Sequence, residues 1–340
     1  MPASLTRTHH PSRRRALPLL PFAILVAIVL PYLTNAYALG FATTILITAI
    51  GVVGFNVLTG WTGLVSLGYA GFFAVGAYTE GVLATRYGWP LLATLPAAAV
   101  VAALVSVLVG APSLRLRGLY LAITTLAFSA IISHVILLAK PLTGGSRGLS
   151  VARPSLLGIP LKTDAAIFWL CAASLLLAIW LAANIRRSYL GRAFFAVRDA
   201  ETAARVLGVD VIRTKLLAFA LSSAITGFAG ALFALNQRYL NVENFELLLS
   251  IEAVSILVVG GIGSIAGVIA GTVFMVLLPE LARLAFNAIG GSLADIGGAQ
   301  EIRGVIYGLV IILFLRFAPD GLIAFWTRAV AWLRRWPLTG

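Results

Sequence analysis

Apolar stretches of membrane-spanning length, parted by short polar or basic breaks, run along most of this chain. A helix needs about 20 mainly apolar residues to cross about 30 Å of hydrocarbon. Segments of that kind cover residues 17–33, 40–58, 64–83, 90–109 and 118–139. Two more, 165–184 and 216–236, flank a basic stretch. The apolar run 247–278 is too long for one span, and Gly260-Gly261-Ile262-Gly263-Ser264 divides it into two joined by a tight turn. A last segment covers 304–317. The pattern predicts an all-α polytopic membrane protein of about ten transmembrane helices, or eight or nine if the short segment before Gly260 does not cross.

Composition narrows the class. The chain of 340 residues is 60% hydrophobic and 11% charged, against about 25% charged in soluble domains. That excludes a water-soluble enzyme with one buried core, and such hydrophobicity excludes a disordered chain. Cys171 is alone, so no intrachain disulfide framework is available. The net charge of +13 becomes informative once it is placed along the chain. With a cytoplasmic N-terminus, Arg7, Arg13, Arg14, Arg15, Arg115, Arg117, seven basic residues of the 185–215 loop and four of the C-terminal end lie inside, seventeen against eight outside. The positive-inside bias therefore predicts both termini in the cytoplasm, and the basic excess does not indicate nucleic acid. Residues 1–16 form a basic cytoplasmic N-terminus, 17–322 the transmembrane region and 323–340 a tail. Arg13-Arg14-Arg15, an apolar run and Ala36-Tyr37-Ala38 also fit a cleavable signal peptide, but the run is of span length, favouring an uncleaved first helix. In the tail, Phe325, Trp326, Trp332 and Trp336 among Arg328, Arg334 and Arg335 suit an interfacial helix anchored on lipid.

The stock of reactive side chains is poor. His9, His10 and His134 show no metal-ligand spacing, so no metal site and no catalytic residue is expected. No phosphate-binding G-x-x-x-x-G-K-[ST] occurs, so the chain has no ATP site of its own. The glycine-rich Thr143–Gly148 segment reads as a flexible turn in an external loop. Within spans the polar groups are Asn56, Glu80, His134, Glu252 and Glu280, which fit either helix contacts or a pathway. No chain of acids crosses the membrane, which speaks against a proton-coupled carrier. Helix breaks at depth are tolerated where they are buried or line a cavity. The breaks around Gly60-x-x-Gly63 and Gly260-Gly261-x-Gly263, with Asn56 and Ser66, are therefore the candidate translocation path. Gly60, Gly63, Ala70 and Gly71 recur as Gly260, Gly263, Ala270 and Gly271, which fits either an internal parallel repeat or coincidence.

The most informative polar segment is 185–215. Asp199 reads as an N-cap, Glu201 suits the first turn and Gly208 ends the helix, giving two turns with Ala203, Val206 and Leu207 as an apolar face. Such a helix suits a partner's groove, though a solvated loop fits the composition equally well.

The order Ala203-Ala204-x-x-x-Gly208 resembles the EAA loop of ABC-importer permeases, with Thr202 where that motif has Glu. More broadly, Gly54-Phe55-Asn56-Val57-Leu58-Thr59-Gly60, Ser66-Leu67-Gly68-Tyr69-Ala70-Gly71, Leu114-Arg115-Leu116-Arg117-Gly118-Leu119-Tyr120, Gly191-Arg192-Ala193, Arg198-Asp199-Ala200-Glu201, Gly260-Gly261-Ile262-Gly263-Ser264 and Pro319-Asp320-Gly321-Leu322 resemble the branched-chain amino-acid ABC transporter permeases, over roughly residues 40–322. The long N-terminal region and external loop are similar to the M-type subunit. The resemblance implies a subunit of an importer for Leu, Ile and Val in a bacterial cytoplasmic membrane. It also implies a paralogous permease, two ATPase subunits that use the ATP, and an external substrate-binding protein. Arg198, Asp199, Glu201, Ala203, Ala204 and Gly208 would form the ATPase-coupling loop. Urea and short-amide permeases share these motifs, and a secondary transporter or channel is the reading from another class.

Overall fold

The computed structural model describes residues 36–113, 118–151, 155–156, 159–160, 163–288, 308–310, 312–314, 316 and 321–322. The expected first span, the basic N-terminus, Arg115, Arg117, much of the last span and the C-terminal tail lie outside the described residues.

Helices dominate. α1 (Ala36–Asn56) continues into a π-helical turn, Val57–Trp61, and is followed by α2 (Tyr69–Arg86), α3 (Leu91–Ser113), α4 (Leu119–Leu138) and α5 (Asp164–Arg187). Two short helices come next, α6 (Tyr189–Asp199) and α7 (Glu201–Val206). α8 (Val211–Gln237), α9 (Leu247–Gly260) and α10 (Ile265–Ala288) follow. Among the described residues, five helical stretches are long and apolar enough to cross a bilayer: Tyr37–Trp61, Leu91–Pro112, Leu119–Leu138, Asp164–Arg187 and Val211–Gln237. A shorter apolar helix covers Ile265–Leu281.

The expected span at 64–83 starts later than its apolar pattern suggests. Gly63 turns the chain at φ +70. Side chains then hold the following backbone out of the helix: Leu67 N–H donates to Thr125 Oγ1 at 2.9 Å and Gly68 N–H to Ser66 Oγ at 3.1 Å. α2 therefore begins at Tyr69.

α8 sits at the centre of the bundle, packed on α1, α2 and α3. Its approach to α2 is set by glycine. A Cβ on Gly76 would lie 1.9 Å from the Gly227 carbonyl oxygen, and one on Gly230 would lie 2.0 Å from that of Phe73. In lipid, where burying apolar surface gives helices little drive to associate, such close backbone packing holds them together. Outward faces differ from this core. Leu104 and Leu108 of α3 and Leu176, Leu177 and Trp180 of α5 are exposed. At bilayer depth such surfaces suit lipid tails.

At the end of the bundle away from α6 and α7, β1 (Leu149–Ser150) pairs antiparallel with β4 (Tyr239–Leu240), and β2 (Ser155–Leu156) with β3 (Ile159–Pro160). The Thr143–Gly148 segment, expected as a flexible turn, is tied down on both sides. Thr143 Oγ1 donates to Ile136 O at 2.6 Å and accepts from Gly145 N–H, while Tyr239 Oη donates to Arg147 O at 2.6 Å.

Candidate functional site

The 185–215 region holds more structure than its sequence suggested. α5 runs on to Arg187, and Ser188 starts α6: its Oγ accepts from Gly191 N–H at 3.4 Å and donates to Ile185 O at 2.7 Å. Gly191 fits because α6 folds back so tightly that a Cβ there would sit 2.4 Å from Ile185 O. Phe194 is fully buried beneath the bundle, and Ala193 and Val197 continue the inward face. Sequence reasoning missed α6, although Leu190, Ala193, Phe194 and Val197 recur at helical spacing.

α7 is the expected short helix, with one correction at its start. Asp199 is the last residue of α6, and the N-cap position of α7 is Ala200, in extended backbone (φ −157, ψ 90) without a side-chain cap. Asp199 ends the preceding helix because α6 supplies the turn that a solvated loop would have lacked. The C-terminus follows the expectation. Gly208 takes φ +85, its N–H donates to Arg205 O at 3.1 Å, and Val209 N–H donates to Ala204 O at 3.0 Å. This pair of bonds is the Schellman arrangement, which satisfies carbonyls left open at a helix end. Val209 packs on Ala204 in a small cluster with Val197 and Val211, closing α6 and α7 into a hairpin. Glu201, in the first turn of α7, ties the hairpin to α8 through Lys215 Nζ at 2.8 Å and pairs with Arg205 at 3.6 Å.

What the hairpin leaves outside is apolar. Ala204 is buried, Ala203 is exposed, and Val206 and Leu207 are 84% and 82% exposed. Thr202, Arg205 and Gly208 are exposed beside them.

The glycine breaks meet at the inner side of this hairpin. Asn56 is fully buried, and its Oδ1 accepts from Gly263 N–H at 2.9 Å. Trp61, also fully buried, donates from Nε1 to Gly263 O at 3.1 Å. The break after α1 is thereby bonded to the turn between α9 and α10. Gly60 has no room for a side chain, since a Cβ would meet Asn56 Oδ1 at 2.0 Å and Gly263 N at 2.8 Å. The turn itself needs glycine, with φ +107 at Gly261 and +88 at Gly263, while a Cβ on Gly260 would lie 2.2 Å from Gly267 O. Gly321 packs on the Gly261 backbone.

Arg198, in the last turn of α6, reaches this junction. Its Nη1 donates to Gly60 O at 2.5 Å, its Cγ lies 3.1 Å from where a Gly63 Cβ would stand, and Phe195 faces Trp61 with ring centroids 6.2 Å apart. The structure thus brings together Asn56, Gly60, Gly63, Gly260, Gly261, Gly263 and Arg198. Ser66 stands apart at the start of α2, and Asp199, Glu201, Ala203, Ala204 and Gly208 belong to the hairpin.

A helical bundle packed through glycine, with two helix breaks bonded to each other and an apolar-edged hairpin beside them, suits a membrane permease. The chain belongs to the family described as branched-chain amino acid transport system / permease component, whose profile matches residues 37–315. It is 35% identical over 324 residues to the high-affinity branched-chain amino acid transport system permease protein LivM of Salmonella typhimurium, covering 88% of this chain and 73% of that one. The LivM protein of Escherichia coli K12 matches to the same extent, 35% over 324 residues. The permease protein LivH of Escherichia coli K12 is 25% identical over 303 residues, covering 85% of this chain and 83% of that one. No solved structure matches.

Proposed function

We propose that this chain is the M-type permease subunit of an ABC importer that moves leucine, isoleucine and valine across a bacterial cytoplasmic membrane. In this reading it spans the membrane about ten times, with both termini and the α6–α7 hairpin in the cytoplasm. It pairs with a paralogous permease, receives substrate from an external binding protein and holds no cofactor of its own. Two ATPase subunits hydrolyse the ATP.

The observation that carries this reading is the edge of α7. An isolated six-residue helix is too short to persist in water, so the Schellman end, the Ala204 cluster and the Glu201–Lys215 pair must hold it in place. They hold it with Val206 and Leu207 turned outward, which suits insertion of a helix into a partner's groove. A second support concerns the paralogous subunit. His134 is exposed on α4 within a span, where the outward faces of α3 and α5 carry Leu104, Leu108, Leu176 and Trp180. An ionisable group is costly against lipid, so the α4 face suits a neighbouring permease.

In this reading transport proceeds by alternating access. Closure of the ATPases on ATP moves the hairpin, and the membrane helices answer by opening to one side or the other. The binding protein supplies selectivity, and the path stays permissive. The test is reconstitution of the chain with its paralogue and ATPase subunits in proteoliposomes. ATP-dependent uptake of labelled leucine is expected, delivered by the loaded binding protein and competed by isoleucine and valine. Competition by urea or acetamide instead would move the assignment to the amide permeases. Uptake without ATP would remove the reading.

A further inference from the structure

We infer that Arg198 is the positioning residue that carries the movement of the coupling hairpin into the membrane domain, by pinning α6 to both helix breaks at once. The inference rests on the reading of α6–α7 as the ATPase dock and adds what lies behind it.

Four observations converge. First, the two breaks are bonded to each other, through Asn56 Oδ1 to Gly263 N–H at 2.9 Å and Trp61 Nε1 to Gly263 O at 3.1 Å. They are 202 and 207 residues apart in sequence and yet form one unit. Second, that unit touches the hairpin through α6: Arg198 Nη1 donates to Gly60 O, and Phe195 rests against Trp61. Third, the space around the guanidinium is kept by glycine, since a Cβ would stand 3.1 Å from Arg198 Cγ at Gly63 and 3.3 Å from its Nη1 at Gly263. Both glycines also hold positive φ, so a residue with a Cβ would strain either turn as well as crowd this side chain. Fourth, the acceptor is an open one. Val57–Trp61 is a π turn, whose carbonyls depart from the regular i to i+4 ladder, and Gly60 O is directed at Arg198.

The mechanical consequence follows from rigidity. α6 is one helix of eleven residues, about 16 Å long, with Phe194 packed under the bundle near its middle and Arg198 at the end next to α7. A push on Val206 or Leu207 tilts the hairpin about that buried Phe194. The end that moves is the one holding Gly60. Because Gly60 and Gly263 are held together through Asn56 and Trp61, the lower ends of α1, α9 and α10 shift as one. In this account the glycine breaks receive the stroke.

The experiment uses the full reconstituted importer with R198A, R198K and W61F. It reads assembly with the ATPase subunits, leucine uptake, its KM, and ATP hydrolysed per leucine. R198A is expected to assemble normally, to keep its KM within about twofold, and to lose about tenfold or more in maximal uptake, the effect of one charge-assisted bond. ATP consumed per leucine rises, because the motor turns without its load. R198K recovers part of the rate, since an ammonium can donate one bond to Gly60 O. W61F keeps the ring against Phe195 but loses the Nε1 bond, and falls about threefold with the same rise in ATP per leucine. R198A with wild-type uptake and an unchanged ratio overturns the inference and leaves the permease reading intact. So does loss of assembly in R198A and R198K alike, which would make Arg198 part of the dock. Failure of the wild-type importer to take up leucine removes the underlying reading instead, so the two failures are distinct.

Discussion

The crossing of α2 and α8 and the α6–α7 hairpin draw on the same residue types, glycine, alanine and aliphatic side chains, and use them in opposite ways. At the crossing, glycine is needed for contact: Gly76 and Gly230 have backbone where a side chain would be, and Leu232 and Leu235 of α8 are buried. In the hairpin, glycine is needed for conformation. Gly208 holds φ +85 with nothing within 4 Å of where a Cβ would stand, and its neighbours Val206 and Leu207 are exposed. One region closes the bundle; the other keeps an apolar edge open for something else. Substitutions that add bulk should therefore damage folding at the crossing and partner engagement at the hairpin.

The largest effect belongs to the crossing. Gly76→Val drives two methyl groups into the Gly227 backbone, a cost beyond the roughly 1–3 kcal/mol of ordinary overpacking because no rotamer can relieve it. No monodisperse protein is expected on size exclusion after detergent extraction. A folded G76V would break the contrast at its stronger end.

Next comes the double substitution V206D/L207D. It alters only exposed side chains, so thermal unfolding should move by less than about 0.5 kcal/mol equivalent. Co-purification with the ATPase subunits should fall about tenfold or more, as expected when the apolar centre of an interface becomes charged.

Smaller effects sharpen the picture within the hairpin. Ala204→Leu overfills the cluster of Val197, Val209 and Val211, at roughly 1–3 kcal/mol, and should uncouple ATP hydrolysis from uptake while the bundle still folds. Gly208→Ala meets open space but forces a left-handed backbone on a residue with Cβ, at about 1–2 kcal/mol. Its uptake should drop less than that of A204L. Smallest is Arg205→Gln, which removes the exposed partner of Glu201, leaves the buried Lys215 pair intact and should cost under about 1 kcal/mol. Uptake near wild type with a weakened dependence on salt would check it.

How much of this was legible beforehand differs between the two regions. The apolar runs and the break glycines are local properties, and they marked α3, α4, α5 and α8 and both interruptions. The end of α7 was equally legible, because Gly208 is a local requirement of its own turn. α6 was not, since Phe194 and Phe195 among arginines look like a solvated loop until the underside of the bundle is there to bury them. The assignment of Asp199 as an N-cap failed for the same reason: with α6 present, Asp199 closes one helix and Ala200 begins the next. The junction itself could not be read from spacing at all. Asn56, Trp61, Arg198 and Gly263 come together only through tertiary contacts, and nothing in the sequence near Gly60 announces that an arginine 138 residues later will bond its carbonyl. The delayed start of α2 is a milder case, since the Thr125 hydroxyl that holds Leu67 belongs to a different helix.

In the proposed importer the exposed edge of α7, unlike the exposed faces of the membrane helices, meets the ATPase. Site-directed cross-linking tests it directly. Cys171 is the chain's single cysteine and is buried, so a C171A background accepts one new thiol at a time. Leu207→Cys should cross-link to the ATPase subunit in the assembled importer, with a yield that changes on adding ATP, whereas Leu177→Cys on the outward face of α5 should not cross-link. Transport that persists with no ATPase adduct at position 207, or an adduct at 177 of equal yield, would contradict the account.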